Sequence, residues 1–302
     1  MNTDRWVFGE TVIERVLEMD GPGLEPFKLL PELSQHILEE HRHWLEPHLL
    51  DPVSGRFVSS FHSFVLRTPR TITVVDTCAG NDKDRPNRPR YHMKGRPYLQ
   101  RLAAIGVRPE DVNYVLCTHL HTDHVGWNTR LVNGRWVPTF PNATYLTSRP
   151  ELDYWSDAAN RRVHNEDLYY EDSILPVLES GQVVFVEDGF TIDKGVTVVA
   201  SPGHTPGHVC VRVVNGNEDA VMSGDILHNA LQVVMPSLNS FSCVDAELAR
   251  KTRREFVERC FENGTLVMPA HFPKPTAGRI VRSSGAGFRF RFDGPFGESW
   301  SP

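Results

Sequence analysis

The segment 115–126, Val-Leu-Cys-Thr-His-Leu-His-Thr-Asp-His-Val-Gly, places four potential metal ligands within six positions. These are His119, His121, Asp123 and His124. Side chains alternate along an extended chain, so His119 and His121 are expected to point to the same side. We expect the chain then to turn and a helix to begin near Asp123, which directs Asp123 and His124 to a second point in space. Two ligand pairs in one loop predict two divalent metal ions, roughly 3.5–4 Å apart as in other two-metal sites.

Three further ligand candidates each follow a short apolar run beside Gly or Pro: His204 in Ser-Pro-Gly-His, Asp225 in Met-Ser-Gly-Asp and His271 in Pro-Ala-His. If those runs are strands, the candidates lie at carboxyl ends, where open α/β architectures place their sites. A lone histidine beside a strand is more often an ordinary core or surface residue. A combined set of His and carboxylate ligands without Cys, however, suits Zn²⁺ in an open catalytic site, with Fe, Mn or Co as alternatives.

Several other side chains are candidates for roles around the metal ions. Asp76 follows a predicted strand and is expected to orient a ligand imidazole, with a turn-forming role as the alternative; Thr118 and His208 are further supports. His228 is a candidate hydrogen-bond donor to the oxyanion, with a structural role at a helix start as the alternative. The candidate pocket walls are aromatic, although such a stripe also suits an ordinary core: Phe61, Trp127, Trp155, Tyr169 and Tyr170. If the aromatic segment around residues 150–180 covers the site, the pocket is apolar with polar ligands at its floor, which would favour uncharged, hydrophobic esters or lactones.

Composition and charge restrict the class of protein that carries these residues. The chain has 302 residues, 40% of them hydrophobic, and a formal net charge of −6. A chain of this length buries roughly 75% of its unfolded surface, which is enough for a full core. The acidic balance argues against nucleic acid as a partner, and no apolar run reaches the roughly 20 residues of a membrane span. Five scattered cysteines and a start without an apolar signal region predict a reducing, cytoplasmic location.

The remaining pattern predicts mixed strands and helices, and hence the α/β (or α+β) class. Apolar spacing predicts helices over residues 32–45, 97–105 and 246–262. β-Branched and aromatic runs predict strands at 6–17, 57–65, 71–75, 112–117, 143–146, 183–186, 196–200, 209–214, 220–222, 266–268 and 288–292. We expect one domain over 1–302, with an N-terminal extension (about 1–55) and a helical insert (about 150–180).

The motif His119-Leu-His-Thr-Asp-His, with His204, Asp225 and His271 behind it, resembles the metallo-β-lactamase superfamily. The upstream segment 73–80, Thr-Val-Val-Asp-Thr-Cys-Ala-Gly, resembles the early strand and Asp-bearing turn of that family, so the likeness covers nearly the whole chain. It implies an αββα sandwich of two mixed β-sheets flanked by helices. It also implies that Asp225 bridges two metal ions, one held by His119, His121 and His204 and the other by Asp123, His124 and His271.

Within the superfamily, the chain resembles the lactonase and esterase branch, which includes acyl-homoserine lactonases and methyl-parathion-hydrolase-like phosphotriesterases. Asp225 stands where the true zinc β-lactamases usually have Cys, and His121 stands where flavo-di-iron proteins have Glu. The sequence Gly224-Asp-Ile-Leu-His-Asn fits the lactonase branch. Acyl-homoserine lactonases often have a Tyr that reaches the substrate, whereas His228 is the side chain that follows the bridging Asp here.

The resemblance implies a dinuclear metal-dependent hydrolase that cleaves lactone, carboxylic ester or phosphotriester bonds with a metal-bridging hydroxide. Asp123 would take the proton of the attacking water and return it to the leaving alkoxide. One alternative is a thioester hydrolase of the glyoxalase II type, which would recruit Lys274, Arg279 and Arg282 to hold glutathione. Another is a non-catalytic metal-binding protein. The expected partner is a small-molecule ester or lactone, without a nucleic acid or a membrane, and a homodimer is compatible with the sequence.

Overall fold

The computed structural model describes residues 4–163, 169–283, 285 and 287–293. The chain divides into two compact units, Met1–Met19 with Phe61–Val198 and Asp20–Ser60 with Val199–Pro302. Each unit combines strands and helices, which confirms the predicted α/β class. The expectation of one domain over 1–302 stays a prediction. Among the described residues, no helix is both long and apolar enough to cross a membrane.

The first unit is built around the strands of one large sheet and two hairpins. Its strands, wholly or mainly within this unit, are β1 (Arg5–Phe8), β2 (Thr11–Pro22), β3 (Val58–Arg67), β4 (Ile72–Val75), β5 (Tyr114–Leu116), β6 (Thr129–Val132), β7 (Arg135–Pro138), β8 (Thr144–Ser148), β9 (Val183–Val186), β10 (Thr191–Asp193) and β11 (Val196–Ala200). Residues 6–17, predicted as one strand, instead form the antiparallel pair β1 and β2 around a turn at residues 9–10. The strands predicted at 183–186 and 196–200 have the predicted bounds, and the other strands predicted here are present with bounds shifted by one or two residues.

The large sheet has the strand order β1-β2-β3-β4-β5-β8-β9. Its second half is parallel: β4 pairs with β5, β5 with β8 and β8 with β9. The register sets Val75 beside Leu116 and Leu116 beside Leu146. Because neighbouring parallel strands end at the same edge of a sheet, the segments that follow β4, β5 and β8 begin side by side.

The second unit contains β12 (Val209–Asn215), β13 (Glu218–Met222), β14 (Leu266–Met268), β15 (Gly278–Arg282) and β16 (Phe288–Phe292). They pair in that order, and only the β13–β14 pair among these five is parallel. An apolar core of this unit includes Leu45, Leu231, Phe256, Val267 and Phe290. The strands predicted at 209–214, 220–222, 266–268 and 288–292 are therefore confirmed.

The α-helices are α1 (Pro26–Leu29), α2 (Gln35–Leu45), α3 (Tyr98–Ala104), α4 (Arg149–Ser156), α5 (Ala158–Val163), α6 (Leu175–Glu179), α7 (Leu231–Val234) and α8 (Ala246–Asn263). The predictions for α2, α3 and α8 are confirmed. α8 begins where the side chain of Asp245 accepts a hydrogen bond from the Leu248 amide at 2.9 Å. It ends at Gly264, whose φ of 60° stops the helix in the left-handed conformation.

The predicted helical insert at 150–180 is broken into several short pieces rather than one helix. It contains α4, α5, a π-helical turn (Tyr170–Ile174) and α6. Residues 164–168, which fall inside this insert, lie outside the described residues. In α4, Glu151 and Trp155 contact residues 117–124, the loop after β5 that carries the predicted ligands and is called the ligand loop here.

The helix expected near Asp123 is absent, and that expectation was wrong. The chain forms a turn there, followed by a 3₁₀ turn at Gly126–Asn128. Its backbone also pairs with residues 77–78: the Thr77 amide donates to the His124 carbonyl at 2.7 Å and the Gly126 amide donates to the Cys78 carbonyl at 2.7 Å. A Cβ on Gly126 would lie 2.0 Å from the carbonyl carbon of Ala79, so this close approach requires glycine.

A buried lysine lies beside the insert in the first unit. Lys83 is fully buried, and its Nζ donates to Thr129 Oγ1 at 2.6 Å and to the Asp172 carbonyl at 3.1 Å. The ammonium also lies 3.6 Å from the ring centroid of Trp136. Burial lowers the pKa of Lys83 to about 7, although the nearby Asp172 carboxylate opposes this shift.

The depressed pKa of Lys83 predicts that the stability difference between the native chain and Lys83→Met depends on pH. Between the folded pKa of about 7 and the ordinary value of 10.5, the unfolded state binds the proton and the folded state does not. The native chain should therefore gain stability relative to Lys83→Met as pH rises through this window, by up to about 1.4 kcal/mol per pH unit. Below pH 7 the difference should level off.

Urea unfolding of both proteins from pH 6 to pH 9.5 measures this difference. Lys251→Met, which removes an exposed lysine of α8, controls for the loss of a positive charge. A difference between the native chain and Lys83→Met that stays constant over the whole range would contradict the prediction.

Candidate metal centre

The loop after β5 carries four of the predicted ligands on the first unit. His119, His121 and His124 are buried, and Asp123 is half-buried. His119 Nε2 lies 2.9 Å from His121 Nδ1. Two nitrogens bound to one tetrahedral Zn²⁺, each at about 2.0–2.1 Å, would lie about 3.3 Å apart. These two imidazoles are thus spaced to share one metal ion.

Hydrogen bonds fix which nitrogen of His119 carries the proton. The Thr118 hydroxyl lies 3.0 Å from Asp76 Oδ2, and an ionised carboxylate only accepts, so the hydroxyl donates to Asp76. The Thr118 oxygen, 3.0 Å from His119 Nδ1, then accepts from that N–H. His119 Nε2 is left with its lone pair, as a metal ligand requires.

Asp76 orients His124 in the same way. His124 Nδ1 donates to Asp76 Oδ2 at 2.9 Å, so its Nε2 also keeps a lone pair, 4.0 Å from Asp123 Oδ1. Asp76 follows β4, is 4% exposed and accepts the Thr118 amide at 2.8 Å as well. Such outer carboxylates hold metal-binding imidazoles in place in many metalloproteins.

The amide of Leu120, between the first two histidines, is held by a buried carboxylate from α4. Glu151 Oε1 accepts the Leu120 N–H at 2.9 Å and the Trp155 indole N–H at 2.7 Å. The side chain of Ser148, at the end of β8, caps α4 by accepting the Glu151 amide. The ligand loop thus follows β5, and the two acids that hold it, Asp76 and Glu151, follow the neighbouring parallel strands β4 and β8.

Asp123 has a tyrosine partner on the polar loop between β4 and α3. Tyr91 donates its hydroxyl to Asp123 Oδ2 at 3.2 Å and packs edge-on against Phe61. Burial raises the pKa of Tyr91 well above its ordinary value, and the negative charge of Asp123 adds to this effect. The hydroxyl therefore stays protonated and remains a donor.

The second unit gathers its predicted ligands at one edge of its sheet. Asp225 follows the end of β13 and His271 follows the end of β14, and these parallel strands align Met222 with Met268. His204 precedes β12, which runs antiparallel to β13 and begins near its end, with Val211 opposite Met222. The register therefore brings all three segments to the same edge.

The Asp225 carboxylate is surrounded by three imidazole rings within this unit. Its Oδ2 lies 3.4 Å from His204 Nε2 and 3.1 Å from His228 Nε2, and its Oδ1 lies 3.1 Å from His271 Nε2. All four side chains are buried. Burial lowers the pKa of His228, with the Asp225 charge opposing the shift.

Outer hydrogen bonds orient this second set of candidate ligands as well. His271 Nδ1 donates to the Ser60 carbonyl at 3.1 Å, which leaves Nε2 with its lone pair. His208 accepts the Asp225 amide on Nε2 at 3.0 Å, and its Nδ1 lies 2.8 Å from Ser201 Oγ. His208 thus holds the backbone of Asp225 rather than its carboxylate.

The His204 loop packs tightly against the start of α8. Gly203 has a φ of 131°, and a Cβ there would lie 2.4 Å from the Ala249 amide nitrogen. His204 Nδ1 lies 3.5 Å from Cys243 Sγ, and burial raises the pKa of that thiol to about 11. The buried Arg253 of α8 donates to the Ile226 carbonyl at 2.8 Å and holds the chain that follows Asp225.

The predicted aromatic pocket walls all lie in the first unit and have specific partners there. Trp127 donates its indole N–H to Glu18 at 2.7 Å and stacks on Tyr98. Trp155 lies edge-on to His121, with a centroid distance of 5.1 Å, and Tyr169 packs edge-on against Trp155. Tyr170 is half-buried beneath the Arg161 guanidinium. Their role as pocket walls stays a prediction, as does that of Phe61.

Sequence reasoning missed several residues that hold the candidate ligands. Tyr91, Glu151 and Arg253 lie far from the motifs along the chain and belong to no motif of their own. The Ser60 carbonyl carries no side-chain signal at all. One sequence signal was present: Ser148 followed three residues later by Glu151 matches the capping-box pattern, which predicts that a helix starts there.

The chemistry of the donor set fits divalent metal ions. His119, His124 and His271 each use Nδ1 for an outer hydrogen bond and leave Nε2 for a ligand bond. Imidazoles and carboxylates without thiolates suit Zn²⁺, Fe, Mn or Co rather than Ca²⁺ or Mg²⁺. Among the described residues, groups of three or four of these His and Asp side chains have ligand atoms close enough together to hold a metal ion.

Comparison with known proteins identifies relatives among lactonases. An N-acyl homoserine lactonase from a Bacillus species is 34% identical over 107 residues, covering 35% of this chain and 35% of the relative. The N-acyl homoserine lactonase AttM from Azorhizobium caulinodans is 30% identical over 164 residues, covering 48% of this chain and 56% of the relative. The matched segments thus span from about a third to just over half of these curated relatives.

Solved structures match over almost the full length. A hydrolase of the β-lactamase superfamily, AbOPH, has a TM-score of 0.80 at 24% identity and covers 95% of this chain and 96% of its own. The dizinc quorum-quenching lactonase AidC has a TM-score of 0.76 at 19% identity, with 96% of each chain covered. Likeness at these identities concerns the fold. The family model described as metallo-β-lactamase superfamily matches residues 60–271, well over half of the sequence. The chain therefore belongs to the metallo-β-lactamase superfamily.

Proposed function

We propose that this protein is a metal-dependent hydrolase whose seven candidate His and Asp ligands hold a pair of divalent metal ions. The observation that carries the proposal is the outer hydrogen bonding of His119, His124 and His271. In each ring Nδ1 is bonded to the protein, so Nε2 keeps the lone pair that a metal needs.

The proposed ligand assignment follows the family pattern, and the matched range 60–271 contains all seven residues. His119, His121 and His204 would hold one ion, Asp123, His124 and His271 would hold the other, and Asp225 would be a ligand shared by the two. Zn²⁺ is the proposed metal, because four-coordinate sites of His and carboxylate with an open position are typical of catalytic zinc. Fe, Mn and Co are compatible with the same donors.

When bound, the metal pair supplies a nucleophile from water near neutral pH and polarises the substrate carbonyl or phosphoryl oxygen. The protein's own contribution is to orient the ligands and to move a proton. Asp123 is the proposed proton carrier between the attacking water and the leaving alkoxide. The Tyr91 hydroxyl donates to Asp123 Oδ2 and so fixes the orientation of the carboxylate, which leaves Oδ1 for the proposed proton transfer. The oxyanion-donor role of His228 stays a prediction.

The proposed substrates are neutral lactones, with N-acyl homoserine lactones first because the curated relatives AttM and the Bacillus protein carry that name. Carboxylic esters and phosphotriesters share an electrophilic centre that the same site can attack. The thioester alternative needs free cations for glutathione. In the second unit, however, Arg282 stacks on Phe261 and Phe288, and Arg279 donates to the Gly264 carbonyl. This engagement favours the lactone proposal.

Removing a ligand should remove both metal and activity. His119→Ala and Asp225→Ala should each lower kcat/KM on a lactone by at least about 100-fold, since even loss of an outer partner costs 10–100-fold in many metalloenzymes. Bound metal, measured by elemental analysis, should fall in parallel. His36→Ala, which removes an exposed histidine of α2, should change neither value. Full activity in either ligand variant, with the protein folded, would rule out the metal mechanism.

A substrate panel separates the candidate reactions. Zinc-reconstituted protein should show its highest kcat/KM on N-hexanoyl-homoserine lactone, compared with p-nitrophenyl acetate, a methyl phosphotriester and S-lactoylglutathione. A preference for S-lactoylglutathione would instead establish the thioester reaction. No turnover on any member by a metal-loaded protein would favour the non-catalytic alternative.

The Tyr91 contact makes a separate prediction. Tyr91→Phe removes a hydrogen bond to a carboxylate, so kcat should fall by about 10- to 100-fold with little change in metal content. Tyr145→Phe is the matched control, since it removes a buried hydroxyl that bonds backbone groups at Phe140 and Asn128. Equal kcat for Tyr91→Phe and the native chain would show that the hydroxyl does not act on Asp123 during turnover.

A further inference from the structure

Thr122 lies between His121 and Asp123 in the ligand loop and is itself held by a distant arginine. The Thr122 hydroxyl oxygen accepts a hydrogen bond from Arg85 Nε at 2.9 Å. Both side chains are buried, with Thr122 1% and Arg85 5% exposed. Arg85 belongs to the polar loop between β4 and α3, so a contact distant in sequence reaches the centre of the ligand motif.

The guanidinium of Arg85 is in turn fixed by Asp172 of the π-helical turn. Arg85 Nη1 and Nη2 each donate to one carboxylate oxygen of Asp172 at 2.7 Å, a bidentate pair. The Ser173 hydroxyl also donates to Asp172 Oδ1, and Arg85 Nη1 donates to the Asp84 carbonyl. With both ends fixed, the guanidinium has little freedom to move away from Thr122.

A buried ion pair of this kind calls for a role other than stability. Removing two charges from water costs more than their attraction usually returns, and apolar replacements of such pairs are often neutral or stabilising. The geometry of a bidentate arginine pair, in contrast, is highly directional. The pair Arg85–Asp172 touches no predicted metal ligand, yet it sets the direction of the Thr122 side chain.

We propose that Arg85 is a positioning residue for the metal centre, acting through the Thr122 hydroxyl and oriented by Asp172. This inference rests on the proposed function. In that proposal His121 and Asp123 bind different metal ions, so a rotation of the backbone at Thr122 displaces one ligand of each ion. The π-helical turn Tyr170–Ile174 thereby becomes a structural support of the metal site.

The test measures Zn²⁺ affinity of the metal-free protein by competition with a chromophoric chelator. Thr122→Val keeps the shape of the side chain but removes the acceptor, whereas Thr122→Ser keeps the hydroxyl. We expect Thr122→Val and Arg85→Met each to weaken Zn²⁺ binding by about 10- to 100-fold, the range for outer partners of ligands. Thr122→Ser should stay within about 3-fold of the native chain by the same reasoning.

A double variant and a matched control separate positioning from simple destabilisation. If the effect runs through this one hydrogen bond, Thr122→Val combined with Arg85→Met should bind Zn²⁺ no more weakly than the weaker single variant. Arg108→Met removes an exposed bidentate pair with Asp111 and should leave Zn²⁺ affinity unchanged. Thermal unfolding of each metal-free variant establishes that it is folded.

The outcomes distinguish this inference from the proposed function. Folded Thr122→Val that binds Zn²⁺ as tightly as the native chain would overturn the positioning role and leave the hydrolase proposal intact. Equal losses in Thr122→Val and Thr122→Ser would also overturn it, because the hydroxyl would then be irrelevant. A native chain that binds no Zn²⁺ would overturn the proposed function, and this inference with it.

Discussion

The candidate metal centre depends on one physical constraint: a ligand imidazole must present an unprotonated nitrogen, so its other N–H needs an acceptor. In the first unit a single buried carboxylate meets this need for two ligands. Asp76 accepts directly from His124 and, through the Thr118 hydroxyl, sets the tautomer of His119. Because Asp76 is 4% exposed, water competes little for these bonds, and the lone pairs stay aimed in fixed directions.

The second unit meets the same requirement with backbone groups. His271 donates to the Ser60 carbonyl, and His208 accepts the Asp225 amide, so the bridging candidate is held through its main chain. Both units place the candidate ligands where strand ends align. In one unit they follow β5, with the supporting acids Asp76 and Glu151 after β4 and β8, and in the other they lie beside the ends of β12, β13 and β14. Strand register therefore converts separated motifs into neighbouring side chains.

Several buried charged side chains of the first unit lie in or next to the segments that hold the ligand loop. Lys83 and Arg85 both contact Asp172, which lies in an insert that sequence patterns treat only as helical. Such groups are costly to bury, and their retention agrees with a need for fixed geometry rather than for stability. Two buried glutamates act similarly. Glu151 accepts from the Leu120 amide and the Trp155 indole. Glu18 accepts from the amides of Ala79 and Gly80 and from the Trp127 indole.

The sequence by itself determined the types of the candidate ligands, the strands that precede them and the helices α2, α3 and α8, because spacing, apolar periodicity and capping residues act within a few positions. It also singled out Asp76, Thr118 and His208, since each lies next to a motif. Tertiary structure alone decided the turn at Asp123 and the distant residues that hold the ligand loop. The helix expected at Asp123 gave way to a turn in which the His124 carbonyl accepts from the Thr77 amide and the Gly126 amide donates to the Cys78 carbonyl. Tyr91, Arg85 and Glu151 contact the ligand loop from 30 to 40 positions away along the chain. Contacts at this separation produce no periodic pattern in the local sequence, so they could not be predicted from it.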